Sequence, residues 1–248
     1  MNSLFNALLL YSRFPTPKGV ECSAESMSRA IKYLPLVGLM VGGVGSLIYW
    51  LCGYILPHPI SIIISMGAML LSTGAFHEDG FADMCDGFGG GYSRDAVLRI
   101  MKDSHIGTYG VLGLIFILLL RYLLLLQFSG EALLIIIIAG AAVSRLAPVL
   151  LVRLSTYAKS EPSKSSHSAL GVSIGGVIVA SIFALSPLLL IAWEVAAIYL
   201  GVMAITLLLF KLYIERVIGG FTGDTLGALQ QIGEVIFYAT VIATQQLL

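Results

Sequence analysis

Seven stretches of this chain are apolar for long enough to cross a bilayer, and nothing else in it limits the fold so strongly. A helical span needs about 17–25 predominantly apolar residues. Windows at 34–56, 60–76, 110–127, 132–152, 171–191, 195–212 and 226–248 meet that length. Of the 248 residues 58% are hydrophobic and 11% charged, with mean hydropathy +0.94, whereas a soluble domain carries roughly 25% charged residues. The expected fold is therefore all-α: a polytopic membrane helix bundle of about seven transmembrane helices, forming one integral membrane domain over 1–248. Connections such as Pro57-His58-Pro59 are so short that the helices they join must run antiparallel. The seventh window is the weakest, because Gln230, Gln231 and Glu234 fall in its first half. The opening MNSLFNALLLYSRFPTP has no basic start and no small-residue cleavage site, and its apolar run stops at Arg13 and Pro15. It reads as an N-terminal interfacial amphipathic segment rather than a signal peptide.

Charge placement orients the bundle. Arg13, Lys18, Arg29 and Lys32 precede the first span; Arg94, Arg99 and Lys102 lie in the 77–109 connection; Arg153, Lys159 and Lys164 follow the fourth window; Lys211 and Arg216 lie in or beside 213–225. The opposite connections, near 57–59, 128–131 and 192–194, hold no Lys or Arg. By the positive-inside rule the long loops are cytoplasmic. Two arginines, Arg121 and Arg145, fall inside windows, where a charge at mid-bilayer costs at least ~2.5–3.5 kcal/mol. Arg145, on the same stretch as Arg153, either reaches toward a phosphate in the cytoplasmic half or is a snorkelling or paired structural arginine, and Arg121, deeper, reads as structural. The 14 acids balance 14 bases, so a nucleic-acid surface is not expected. Cys22, Cys52 and Cys85 are scattered and show no CxxC, which gives neither a disulfide framework nor a zinc site.

Six of the fourteen carboxylates sit in the one segment FHEDGFADMCDGFGGGYSRDAVLRIMKDSHIGTYG: Glu78, Asp79, Asp83, Asp86, Asp95 and Asp103. Asp79, Asp83 and Asp86 are spaced i, i+4, i+7, a stripe along one face of a helix. Three carboxylates so close repel one another unless a hard cation lies between them, and all-oxygen ligands suit Mg²⁺ or Mn²⁺. Phe76, Phe81, Ala82, Met84 and Phe88 interleave with them, which embeds the acids in an apolar face rather than leaving them on a solvated loop.

Other residues complete the constellation. Arg94, Arg99 and Lys102 supply cations for diphosphate oxygens. Asp103 is a further ligand or a general base. Gly107 opens the next span, where backbone N–H groups at a helix N-terminus can cradle an anion. The run GGFTGDTLGA at 219–228 brings Thr222, Gly223 and Asp224 to the same membrane face, as part of a metal or phosphate site or, for Asp224 or Thr225 alone, as an ordinary helix cap. His77 and His105 flank the acids as proton carriers or as ordinary hydrogen-bonding histidines; His58 and His167 have no such neighbours.

These segments in order, FHEDGFADMCDG, MKDSHIGTYG and GGFTGDTLGA, together with the opening YSRFPTP and KYLPLVG, resemble the cobalamin synthase (adenosylcobinamide-GDP ribazoletransferase) family over essentially the whole chain. The resemblance implies a Mg²⁺-dependent enzyme of the bacterial inner membrane. It would join adenosylcobinamide-GDP to α-ribazole or its 5′-phosphate, releasing GMP and forming adenosylcobalamin or its 5′-phosphate. It further implies a metal and pyrophosphate site at Asp79, Asp83 and Asp86, supported by Asp103 and Asp224, with Asp103 or His77 as base. A homo-oligomer, or association with other enzymes of cobamide assembly, is compatible with it. Two positions depart from the family pattern: His105 stands where an arginine is common, and Glu78 where an apolar residue is common, so Glu78 is not counted as a ligand.

The nearest rival is a CDP-alcohol phosphatidyltransferase. Asp83-Met84-Cys85-Asp86-Gly87 imitates the start of its motif, but no Ala-Arg follows, and Arg99 stands where the final aspartate belongs. A transporter would carry its ionisable residues near the midplane, and here the acids gather in one connecting segment.

Overall fold

The computed structural model describes residues 2–20, 26, 29–158 and 171–247; Cys22, His167, Lys159 and Lys164 lie outside them. Eleven α-helices are described: α1 (Asn2–Tyr11), α2 (Leu34–Cys52), α3 (His58–Thr73), α4 (Phe76–Gly90), α5 (Arg94–Ile100), α6 (Thr108–Leu125), α7 (Gly130–Val143), α8 (Leu146–Leu154), α9 (Ile174–Leu185), α10 (Trp193–Ile218) and α11 (Gly223–Leu247). Short 3-10 turns precede α2 (Arg29–Tyr33) and follow α9 (Ser186–Leu190).

All seven apolar windows are helical. Five pass as single spans: Arg29–Cys52, Thr108–Leu125, Gly130–Leu154, Trp193–Ile218 and Gly223–Gln245. Ile174–Leu190 is shorter, and α3 with α4 forms a pair broken by an 88° bend. The α7–α8 span is 83% buried, and so forms the centre of the bundle, while α6 and α10, at 22% and 28%, turn most of their surface outward. Small residues let the central helices touch. Gly38, Val41, Gly42 and Gly45 make one buried face of α2, and a Cβ at Gly42 would lie 2.7 Å from Ile138 Cα on α7. Serine hydroxyls find partners within the apolar interior, Ser65 Oγ donating to Gly45 O at 2.7 Å and Ser46 Oγ to Leu134 O at 2.8 Å.

The structure corrects the reading of 77–109 as a connecting loop. Gly74 and Ala75 both adopt left-handed backbone, with φ of 66° and 58°; Gly74 does so without a Cβ penalty, Ala75 against ~1–2 kcal/mol. This pair of residues turns the chain out of α3, and the acid-bearing segment becomes a helix inside the bundle. Asp86 meets the start of α6 at Gly107 and Gly110, whereas Glu78 meets Arg121. That is eleven residues past Gly110, or about 16 Å along the helix axis, so α4 runs antiparallel to α6 with its first turn deepest.

The N-terminal segment is helical as expected, and it also joins the protein core. Ala7 and Leu8 are buried against the 3-10 turn before α2, and Arg13 N donates to Ser72 O at 2.7 Å, beside the α3–α4 break. Arg121 and the polar residues that weakened the seventh window account for each other: Arg121 Nη2 lies 2.7 Å from Glu234 Oε1.

Candidate active site

The site forms where α4 crosses α11, and glycine sets the approach. A Cβ at Gly80 would fall 2.9 Å from Asp224 Cα and 3.0 Å from Asp224 O; one at Gly227 would fall 3.0 Å from His77 O. Those neighbours are backbone, which cannot rotate away. Gly80→Ala is therefore expected to destabilise the protein by ~1–3 kcal/mol, as overpacking does, and to lower its thermal midpoint in detergent; an unchanged midpoint would mean the helices are free to separate here.

This crossing places Asp79 (exposed) and Asp83 (half-buried) of α4 beside Asp224 (half-buried) of α11. The charges acting on Asp83 are those of Asp79, Asp224 and Asp86, and Asp79 acts on Asp224 as well. Asp224 is free for this because the cap of α11 is built from other residues. Thr222 Oγ1 accepts from Thr225 N at 3.2 Å while Thr225 Oγ1 accepts from Thr222 N at 2.8 Å, a reciprocal capping arrangement. Thr222 Oγ1 also donates to Asp224 Oδ2 at 3.3 Å, which orients that carboxylate. Gly223, the first residue of α11, is exposed. The turn ahead of it is pinned by Phe221 N donating to Thr156 O and Ala158 N to Phe221 O, at 2.9 and 2.8 Å.

Asp86 is engaged differently. Its Oδ2 accepts from Gly107 N at 2.7 Å and its Oδ1 from Gly110 N at 2.8 Å. The anion-cradling helix start expected at Gly107 is real, but the anion it holds is the protein's own carboxylate, favourably placed at a helix N-terminus. A Cβ at Gly107 or Gly110 would run into that carboxylate, which explains both glycines.

The basic residues divide. Arg99 and Lys102 are exposed next to this end of α4, on α5 and the turn after it. Arg94 turns aside, its Nε donating to Ile218 O at 3.0 Å at the end of α10, with Nη1 3.5 Å from Asp95 Oδ1. Arg145 is buried and donates from Nη1 to Ala141 O within its own span, among Glu234, Glu78, Arg121 and Tyr238. The two base candidates also separate. His77 is buried in the first turn of α4. Asp103 is exposed, and its Oδ1 accepts from His105 N at 3.0 Å and lies 2.7 Å from His105 Nδ1. Those hydrogen bonds hold the Asp103 carboxyl below its ordinary value, so it stays ionised at neutral pH.

A divalent cation fits this donor set in one particular mode. Among the described residues no three His, Cys, Asp or Glu side chains converge tightly enough to enclose an ion unaided. Mg²⁺ does not need such a cage: it commonly binds through one or two carboxylates, waters and substrate phosphate oxygens. Asp79, Asp83 and Asp224, oxygen donors on two helices near enough for their charges to act on one another, are the partial shell such an ion would use.

The sequence reading missed the polar network below the acids, comprising Glu78, Arg121, Gln230, Gln231, Glu234 and Tyr238. The signal was present in the form of one arginine and three polar side chains within otherwise apolar spans.

A family model described as cobalamin-5-phosphate synthase matches residues 3–242. The chain belongs to this family. A relative from Vibrio cholerae serotype O1 is 39% identical over 242 residues, 97% of this chain and 93% of its own length. One from Shewanella frigidimarina is 38% identical over 253 residues, covering 98% and 95%. One from Leptothrix cholodnii is 41% identical over 244 residues, covering 94% and 92%. Each of the three carries the name adenosylcobinamide-GDP ribazoletransferase. No solved structure matches the chain. Membership in the cobalamin-5-phosphate synthase family bears out the resemblance carried by the three motifs and sets aside the CDP-alcohol reading.

Proposed function

We propose that this chain transfers the cobinamide-phosphate moiety of adenosylcobinamide-GDP to α-ribazole or α-ribazole 5′-phosphate, with release of GMP, in a Mg²⁺-dependent reaction. The observation that carries the reading is the close approach of α4, bearing Asp79 and Asp83, to Asp224 on α11 at Gly80, where the charges of the three acids act on one another. By the charge placement along the chain, this site faces the cytoplasm of a bacterial inner membrane.

The reaction is a displacement at phosphorus. A ribazole hydroxyl oxygen bonds to the cobinamide-linked phosphorus, the bridging P–O bond to GMP breaks, and the hydroxyl proton passes to a base. Bound Mg²⁺ would neutralise the diphosphate charge as it shifts to the leaving group. Asp79, Asp83 and Asp224 would hold that ion, and Asp86, fastened to the start of α6, fixes the adjoining turn. Arg99 and Lys102, exposed on the neighbouring elements, bind phosphate oxygens, as Gly223 does at the start of α11, while Thr222, its N–H given to Thr225 and its hydroxyl to Asp224, acts by holding that carboxylate in place. Asp103 is the accessible proton acceptor, whereas His77 shares the first turn of α4 with Asp79 but is buried, and serves only a substrate group that reaches its covered side. Phosphoryl transfer of this kind needs positioning and charge more than covalent chemistry.

The test is GMP formation by purified, detergent-solubilised protein supplied with adenosylcobinamide-GDP, α-ribazole 5′-phosphate and Mg²⁺. GMP is expected only when both organic substrates are present. No GMP from well-folded protein, or equal GMP without the ribazole, would overturn the assignment.

A further inference from the structure

Below the carboxylates lies a buried polar network. Glu78 Oε1 accepts from Gln231 Nε2 at 2.8 Å and lies 3.9 Å from Arg121 Nη1. Arg121 Nη2 pairs with Glu234 Oε1 at 2.7 Å. Glu234 also accepts from Tyr238 OH at 2.8 Å and from Gln230 Nε2 at 2.7 Å, and Gln231 Nε2 donates to Gln230 Oε1 at 2.8 Å. Glu78 is 7% exposed, Arg121 3% and Glu234 1%.

Stability does not account for such a network. Burying ions costs several kcal/mol each, and apolar residues of similar volume often serve a fold as well or better. Ionisable groups inside a membrane bundle are more often tied to function. What this network supplies that an apolar contact does not is direction. A helix packed only by apolar side chains can slip or turn, whereas charge-assisted hydrogen bonds have one geometry. The three helices it joins are those that carry the site. Glu78 is the chain neighbour of Asp79 on α4; Gln231 and Glu234 lie on α11 with Asp224; Arg121 lies on α6, whose first turn holds Asp86. Near Gly80 the helix backbones touch, so a small rotation of α4 about its axis would carry Asp79 and Asp83 away from Asp224.

We propose that Glu78, held by Gln231 and by the Arg121–Glu234 pair, is a positioning residue that sets the rotation and depth of α4 so that Asp79 and Asp83 face Asp224. This rests on the reading of those carboxylates as the metal site. Glu78→Gln keeps the shape and removes the charge. In the purified full-length protein it is expected to raise the Mg²⁺ concentration for half-maximal GMP formation by about 10–100-fold, as loss of a partner behind metal ligands typically does, with the thermal midpoint still showing a cooperative, folded protein. Gln231→Met, which removes only the bridge between α11 and Glu78, is read in the same way if Glu78→Gln does not assemble. Folded variants with the wild-type Mg²⁺ requirement, whatever their thermal midpoint, would reduce the network to scaffolding and overturn the proposal. Absence of any Mg²⁺ response in the wild-type protein would instead strike at the metal reading itself.

Discussion

Asp83→Asn is expected to lower turnover by about 10³-fold, the scale of losing one preorganised charge-stabilising group, while expression and membrane insertion stay normal. Asp83 is the middle acid of the stripe, and three other carboxylates, Asp79, Asp224 and Asp86, act on it. Asparagine has nearly the same shape, so packing of α4 against α11 is preserved. It also removes one of several like charges, so the thermal midpoint without divalent ions should hold or rise. Opposite signs for activity and stability are characteristic of a site held under strain for function. The measurement is GMP formation alongside a thermal melt of the same preparation. Near-wild-type turnover would show that Asp83 is not part of the reacting centre.

Thorough chelation is expected to abolish the transfer completely, with recovery on adding Mg²⁺. An ion that binds only the folded protein also stabilises it, by RT ln(1 + [L]/Kd). The thermal midpoint should accordingly climb with Mg²⁺ in the wild-type protein and much less in Asp83→Asn. The melt needs no substrate, so it separates loss of metal binding from loss of substrate binding. Full activity after chelation, with a midpoint indifferent to Mg²⁺, would remove the ion from the mechanism.

Much of the fold was legible because a bilayer makes severe demands on composition. All seven apolar windows became helical with edges shifted by a few residues, and at the end of the second the left-handed Gly74 and Ala75 supply the reason. The acidic stripe was legible too, since i, i+4, i+7 spacing has only one helical reading. Other roles turned on partners distant in sequence. Asp86 looks like its neighbours until Gly107 and Gly110, more than twenty positions on, are found donating to it. Asp224 could be part of a metal or phosphate site or an ordinary helix cap on paper, and the reciprocal pairing of Thr222 with Thr225 shows that the cap is built without it. Arg94 read as a phosphate ligand from its type and place, and only the fold shows that its Nε also donates to the end of α10.

The sequence by itself determined a membrane helix bundle, the clustering of its acids and its family. Each of these depends on residue type and short-range spacing, which hydrophobicity and helical periodicity translate directly into structure. Only the tertiary structure decided that the acid-bearing segment descends into the bundle, that Asp224 joins Asp79 and Asp83 while Asp86 serves α6, and that the charges of Arg121, Glu78 and Glu234 answer one another. Those outcomes depend on which helix faces meet and how closely. Glycines such as Gly80 and Gly227 allow that closeness, but a glycine does not record which backbone will come to lie against it.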